Sequence, residues 1–442
     1  MIKFFIESLG CSKNQVDSET IITLLENRGY VFTGEPQEAD LILVNTCGFI
    51  NAAKQESLET VMEFRSQFPD KKIIMTGCLS ERYFIELEKD LTEIDGIWGT
   101  GYSTSFADFV DTTTGYSGSD TPGADASSGK ADHAPRLSFP GSAYVKIAEG
   151  CINKCTYCAI PIIRGDLQSR PKDEILQEVN NLLSMGIQEI NLVAQDSASY
   201  GTDIGSDSIV SLIQAILEIN ADFWLRVLYL HPDKFPKELL AIAERDSRFL
   251  PYFDIPFQHG SPRILHQMGR KGSNIVYEKL VADIRTAVPK AIIRTTFLTG
   301  FPGETDKDVE LLKEFQRSIQ PNWAGIFTYS HEEGTPAYSL SGQIPAKTAG
   351  KRKQLLEKIQ EQITASWLKA MTGQTFQVLV EERVQGEDLL LGRTWFQAPE
   401  VDGLVVIENS SANPGERITV RITGVRGVDL TAIETNSMPG NG

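Results

Sequence analysis

Short apolar runs alternate along this chain with longer stretches in which apolar residues return every three or four positions. From Ile2 to about Val110 the runs IKFFI, LILVN and KKIIMTG are separated by SETIITLLENRG and AKQESLETVMEFRSQ. The runs read as buried strands, and the three-to-four spacing places one apolar face of a helix on a core. Strands alternating with helices predict a parallel sheet with helices on its faces. The pattern lapses from Thr112 to Gly141 (TTTGYSGSDTPGADASSGKADHAPRLSFPG), a stretch rich in Ser, Gly, Asp and Pro that reads as a flexible linker. It resumes from Ser142 to about Ser330. There the strands AYVKI, EINLVAQ, WLRVLYL, YFDIPF, IIRTTFLTG and GIFTYS alternate with KDEILQEVNNLLSMG, DSIVSLIQAILEIN, KELLAIAERD, NIVYEKLVADIRTAV and KDVELLKEFQRSI. Six strands in this order predict an open or partial βα barrel, with its site at the C-terminal ends of the strands. A polar helix around Ala349 to Met371 leads to TFQVLVEER, DLLLGRT, GLVVIE and RITVRIT, which predict a small β-barrel. The chain shows no internal repeat.

Length and charge narrow the function. A chain of 442 residues is long enough for two or three domains. Its 42 Lys and Arg against 59 Asp and Glu leave a net charge of −17, a field that disfavours a protein coating nucleic acid. No run approaches the length of a membrane span. MIKFFIESLGC lacks the basic region and long apolar run of a secretory signal. A cytoplasmic location is expected, where thiols stay reduced.

Six cysteines are too few for a disulfide scaffold in a chain this long, which turns attention to metal binding or catalysis. Cys151, Cys155 and Cys158 stand in GCINKCTYCAIP, spaced C-x3-C-x2-C after the first strand of the central region. Three thiolates on one short loop can hold three irons of a 4Fe-4S cube and leave the fourth open to a ligand. A structural zinc site is the competing reading, and it would want a fourth N or S ligand nearby. Cys11, Cys47 and Cys78 each follow an apolar strand and lie beside a Gly. Strand ends of a parallel sheet share one edge, so these thiols can converge from distant positions. Each alone could be a small buried hydrophobe; three at equivalent strand ends point to a second 4Fe-4S cluster.

These motifs resemble the radical S-adenosylmethionine methylthiotransferases. The likeness rests on C-x3-C-x2-C together with SLGCSKNQVDSE, VNTCGFI, TGCL, GDLQSRP, DIPFQHGSPRIL and GFPGET, and it covers nearly the whole chain. It implies an N-terminal α/β domain with an auxiliary cluster over residues 1–111. A radical S-adenosylmethionine domain over 142–368 and a TRAM β-barrel over 369–442 would follow, with 112–141 as the linker. Within the family, the start SLGCSKNQVDSE, Gln258-His259 before Gly-Ser-Pro, and GRTWFQAPEVDG resemble the branch that methylthiolates an aspartate of small-subunit ribosomal protein S-twelve. The branch acting on a tRNA adenosine more often shows T-x-GCQMN and Gln-Ser at those places. From Ala370 to Gly442 ten acidic residues face five Arg, a net of about −5, which suits a basic ribosomal protein better than tRNA. A non-catalytic iron–sulfur carrier would have no use for a βα barrel carrying LTGFPGE.

The resemblance also implies roles. S-adenosylmethionine on the Cys151/Cys155/Cys158 cluster would yield a 5′-deoxyadenosyl radical that takes hydrogen from the aspartate β-carbon. The Cys11/Cys47/Cys78 cluster would hold a sulfide that is methylated and passed to that carbon. A reductant protein such as flavodoxin or ferredoxin is implied as partner, with no membrane and no direct tRNA substrate. Tyr157 resembles the aromatic beside the adenine, or is an ordinary core ring. Gly300, Gly303 and Glu304 follow the fifth strand, where a bare backbone approaches a cofactor closely. Gln195 and Asp196 end the second strand, with helix capping an equal reading for Asp196. Arg294 would meet a carboxylate of the cofactor or of the protein. His231 and His259 are too isolated for ligands, and Trp395 and Phe396 read as barrel core. No general acid or base is nominated.

Overall fold

The computed structural model describes residues 1–116, 137–205 and 207–435. The expected linker falls mostly on residues outside the described ones, but its first three, Thr112–Thr114, complete a helix. The chain divides into two compact units. One is Met1–Leu137 with Ala148–Asn181 and Ser330–Tyr338; the other is Ser138–Ile147 with Leu182–Tyr329 and Ser339–Gly442. No helix is long and apolar enough to cross a membrane among the described residues.

In the first unit β1 (Lys3–Ser8), α1 (Ser12–Asn27), β2 (Val31–Phe32), β3 (Leu41–Thr46), α2 (Asn51–Gln67), β4 (Lys72–Gly77), α3 (Cys78–Arg82), α4 (Phe84–Asp90), β5 (Gly96–Ile97) and α5 (Thr104–Thr114) follow in order. The strands form a parallel sheet ordered β2-β1-β3-β4-β5. Strand β3 is buried along its whole length, which is why LILVN is continuously apolar rather than alternating. Its side chains still divide by parity: Leu41 and Leu43 pack with Ile21, Leu25 and Phe106, while Ile42 and Val44 pack with Val61 and Leu79 on the other face.

The second unit contains β6 (Ser142–Lys146). The chain then passes through β7 (Ala148–Glu149), α6 (Ile160–Ile163), β8 (Gln168–Ser169) and α7 (Lys172–Ser184). Next come β9 (Glu189–Val193), α8 (Ile209–Leu217), β10 (Trp224–Val227), α9 (Glu238–Arg245) and β11 (Phe249–Asp254). The alternation ends with α10 (Pro262–Gln267), α11 (Asn274–Ala287), β12 (Ile292–Thr299), α12 (Asp306–Ile319) and β13 (Trp323–Thr328). The six predicted strands pair in parallel in the order β13-β12-β11-β10-β9-β6, an open sheet. Non-glycine residues take positive φ just beyond two strand ends, at Tyr229 (φ 62) and Gln258 (φ 70), where the backbone turns sharply at the C-terminal edge.

The polar helix α13 (Ala346–Lys369) leads to β14 (Thr375–Arg383), β15 (Leu389–Thr394), β16 (Val405–Glu408), β17 (Arg417–Arg426) and β18 (Asp429–Glu434). These close into a barrel ordered β14-β15-β16-β18-β17. Strand β18 escaped the sequence pattern because it buries only Leu430 and Ala432. Pairing supplies what its side chains lack, parallel to β16 and antiparallel to β17.

The tail motif GRTWFQAPEVDG fastens this barrel to the sheet. Buried Glu189 on β9 accepts from Arg226 at 2.8 Å and from Arg393 on β15 at 2.6 Å, and Arg393 also meets Glu381 at 2.6 Å. The Gln397 carbonyl accepts from both guanidiniums, and Trp323 donates to the Phe396 carbonyl at 2.8 Å. Phe396 is core, as expected, with half-buried Trp395 edge-on to it at 5.5 Å.

Candidate functional site

Strands β1, β3 and β4 are neighbours, and their registers bring Ser8 beside Asn45 and Thr46 beside Gly77. Their C-terminal ends therefore align, and each runs into a cysteine: Cys11 before α1, Cys47 after β3, and Cys78 as the first residue of α3. Exposure falls across the set, from exposed Cys11 through half-buried Cys47 to buried Cys78. Gly10 (φ +96) makes the turn into α1, and a Cβ there would stand 2.8 Å from Cys47 Cβ and 2.9 Å from its Sγ. Burial pushes the Cys47 thiol up to about 12, with Cys11 and Cys78 adding to the rise. Burial likewise raises Cys78, opposed by Arg164. Burial and the neighbouring thiols thus both disfavour thiolates at this edge, and Arg164 favours them.

A buried polar network braces this edge. Asn14 on α1 donates to the Leu9 and Thr46 carbonyls, both at 2.9 Å, and its own carbonyl accepts from Asn45 at 2.8 Å. Asn45 also donates to Ser18, which donates to Ser8. Arg164 completes it: the guanidinium bonds Cys78 Sγ at 3.0 and 3.2 Å, Asn14 Oδ1 at 2.7 Å and Asp17 Oδ2 at 2.7 Å. Sequence reasoning missed Arg164, Asn14 and Asp17 as members of the site. The available signal was polar residues at i and i+3 on α1 directly after a cysteine, where a helix that merely covers a sheet would bury apolar ones.

Cys151, Cys155 and Cys158 lie in the same compact unit, half-buried on the loop between β7 and α6. The antiparallel pair β7–β8 closes the base of the loop. The Cys151 N–H donates to the Gly165 carbonyl, and the Cys158 N–H to the Cys155 carbonyl, both at 3.1 Å. Asn153 aims its backbone N–H and its Nδ2 at Cys151 Sγ, each at 3.4 Å. Tyr157 is half-buried in the turn before Cys158. The segment Ser330–Tyr338 braces the loop through Ala337, which donates to the Thr156 carbonyl at 2.8 Å. That segment is itself held by buried Glu332, which meets Arg82 at 2.6 Å and Lys54 at 2.9 Å.

The second unit holds the remaining candidates. Gln195 is half-buried beyond the end of β9. Asp196 caps a short helical turn, accepting from Ala198 N–H and Ser199 Oγ, which bears out the capping reading. Gly300 (φ +79) and Gly303 (φ +77) form the turn after β12. The buried carboxylate of Glu304 accepts from Thr299 Oγ1, the Gly300 N–H and Arg352, so it shapes that turn from within. Arg294 meets carboxylates of the protein itself, Asp254 at 3.0 Å and Asp402 at 3.5 Å, the ion pairing that the sequence also allowed. Neither histidine is placed as a ligand. Nδ1 of His259 accepts from Ser261 N–H while its Nε2 lies 3.4 Å from Glu304, and His231 pairs with Asp233 N–H and Arg270.

Among the described residues no three His, Cys, Asp or Glu side chains are gathered tightly enough to hold a single metal ion. An iron–sulfur cube takes Cys thiolates as its ligands. The donor chemistry fits such a group: none of the six cysteines is in a disulfide, and N–H donors point at the sulfurs of Cys78 and Cys151, as they do around anionic cluster ligands.

Residues 3–99 match the Uncharacterized protein family UPF0004, residues 145–315 the Radical SAM superfamily and residues 372–433 the TRAM domain. Among solved structures, the radical S-adenosylmethionine methyltransferase TsrM from Kitasatospora setae shares the fold, with a TM-score of 0.54 over 76% of each chain at 15% identity. A ribosomal protein uS12 methylthiotransferase, RimO, of Treponema denticola is 43% identical over 96% of this chain and 99% of its own. That of Carboxydothermus hydrogenoformans is 41% identical over 97% of this chain and 98% of its own. Such identity from end to end, over a partial βα barrel and two cysteine triads, makes this chain a member of the ribosomal protein uS12 methylthiotransferase family of radical S-adenosylmethionine enzymes.

Proposed function

We propose that this protein attaches a methylthio group to the β-carbon of an aspartate in ribosomal protein uS12. The observation that carries this reading is the presence of two separate thiol triads in one compact unit of a chain whose relatives bear that activity in their name. Cys151, Cys155 and Cys158 would hold one 4Fe-4S cluster, and Cys11, Cys47 and Cys78 the other. When bound, the first supplies the electron that cleaves S-adenosylmethionine to a carbon radical, and the second supplies the sulfur.

The chain's own residues hold and orient. Asn153 donates to the Cys151 sulfur and fixes the loop that presents the first triad. Gly10 leaves room for Cys47 beside the turn into α1. Gln195, Gly300 and Gly303, at the C-terminal edge of the open sheet, would receive S-adenosylmethionine where the turn carries no side chains; Glu304 keeps that turn in shape. The acidic tail, net about −5, suits a basic protein substrate and speaks against a tRNA substrate. Electrons would come from a small reductant protein of the flavodoxin or ferredoxin kind. Six cysteines outside any disulfide suit the reducing cytoplasm.

The test offers anaerobically reconstituted protein both uS12 and unmodified tRNA, with reductant, sulfide and S-adenosylmethionine. Mass spectrometry should find the methylthio group on an aspartate of uS12. A methylthio group on tRNA would keep the chemistry and overturn the substrate, and zinc in place of iron would overturn the clusters.

A further inference from the structure

Arg164 stands where the two thiol sets meet in the chain. Its guanidinium bonds Cys78 Sγ through Nε at 3.2 Å and Nη2 at 3.0 Å, while the carbonyl of the next residue, Gly165, accepts from the Cys151 N–H at 3.1 Å. One dipeptide thus joins a sulfur of one triad to the backbone of the other. The side chain is 3% exposed. A guanidinium is costly to bury without carboxylate partners. Here Asp17 at 2.7 Å and Glu149 at 3.3 Å both meet Nη1, and Asn14 Oδ1 at 2.7 Å turns the planar group so that two further N–H donors face the sulfur. Buried Ile163 and Ala159, packed against Cys78, keep water from taking those donors.

Resting on the reading that Cys11, Cys47 and Cys78 hold an iron–sulfur cluster, we propose that Arg164 is the positioning residue of that cluster, setting its reduction potential through Cys78 and tethering it to the loop of the other triad. A cation that donates to a thiolate ligand offsets negative charge on the cluster. It therefore favours the state with one more electron and raises the potential. Asp17, the nearest anion, opposes this field while it orients the donor.

The test uses the full chain with Cys151, Cys155 and Cys158 all changed to Ala, so that only the second cluster contributes. Redox titration followed by electron paramagnetic resonance should show a lower potential in Arg164→Gln, partial recovery in Arg164→Lys, and a higher potential in Asp17→Asn. Opposite shifts are required, because a merely structural role for the pair would move both variants the same way or neither. If Arg164→Gln fails to hold iron, the upward shift in Asp17→Asn and the intermediate value in Arg164→Lys decide, and their absence overturns the proposal. A parent without iron would overturn the cluster reading and this inference with it. Iron with a potential indifferent to Arg164 and Asp17 would overturn the inference alone.

Discussion

The two triads hold the same three thiols by opposite means. Cys151, Cys155 and Cys158 sit within one loop, and their arrangement depends on a few local hydrogen bonds, such as Cys158 to Cys155 and Asn153 to Cys151. Cys11, Cys47 and Cys78 are brought together only because β1, β3 and β4 lie side by side in register. The local triad has its three thiols fixed by one loop, and the rest of the molecule only steadies that loop, through the β7–β8 pair and Ala337. The dispersed triad depends on a sheet edge, and the protein braces it with Asn14, Asn45, Asp17 and Arg164, all of them buried. In the dispersed site the buried polar groups bond the strand ends and a cysteine sulfur directly, whereas in the one-loop site buried Glu332 acts on a segment beside the loop.

The comparison can be broken most decisively at the thiols. Cys151→Ala should abolish both S-adenosylmethionine cleavage and methylthiolated product, measured by 5′-deoxyadenosine release and by mass spectrometry. Changing Cys11, Cys47 or Cys78 to Ala should stop product while sparing cleavage; equal loss in both sets would show that the triads do not divide the chemistry.

A control in the second unit should leave both triads alone. Glu189→Gln takes the carboxylate from buried Arg226 and leaves buried Arg393 with Glu381 alone, and should cost about 3–5 kcal/mol in thermal unfolding with iron content unchanged. Burial alone would raise the Glu189 carboxyl, but Arg393 and Arg226 outweigh it and hold it at about 2. Its contribution is therefore complete above the ordinary carboxylate value of 4.5 and is lost as pH falls from there toward 2. Unfolding followed across that window should show this acid-side loss in the native chain and a smaller loss in Glu189→Gln.

Gly10→Ala should have the smallest effect and the most selective one. A side chain at φ +96, with its Cβ 2.8 Å from that of Cys47, should cost about 1–3 kcal/mol. Iron bound by the dispersed triad should drop, while that bound by Cys151, Cys155 and Cys158 holds. Loss from both alike would mean that the sheet edge and the loop are not independent.

Residues that carry chemistry in a fixed spacing were legible from the chain alone, whereas residues whose meaning lies in a neighbour were not. Arg294 and Glu304 illustrate the second kind. The sequence left Arg294 open to a carboxylate of the cofactor or of the protein and placed Glu304 after the fifth strand, and only the fold showed their partners, Asp254, Asp402, Arg352 and the Gly300 N–H. No periodicity reports a partner some forty residues distant, as Asp254 and Arg352 are from Arg294 and Glu304. The motif GRTWFQAPEVDG likewise marked the family branch, and only the fold showed Arg393 and Gln397 joining barrel to sheet.

Apolar periodicity by itself determined the strands and helices, hence the parallel sheet, the six-stranded open sheet and most of the small barrel, because burial of apolar side chains repeats with the geometry of each element. The spacing of Cys151, Cys155 and Cys158 determined one thiol triad, and the strand-end placement of the other three pointed to a second. What only the tertiary structure decided was electrostatic: which carboxylate meets which guanidinium, and that Arg164 turns toward Cys78 rather than toward solvent. Buried charges must find partners wherever the fold places them, and a linear pattern carries no record of that choice.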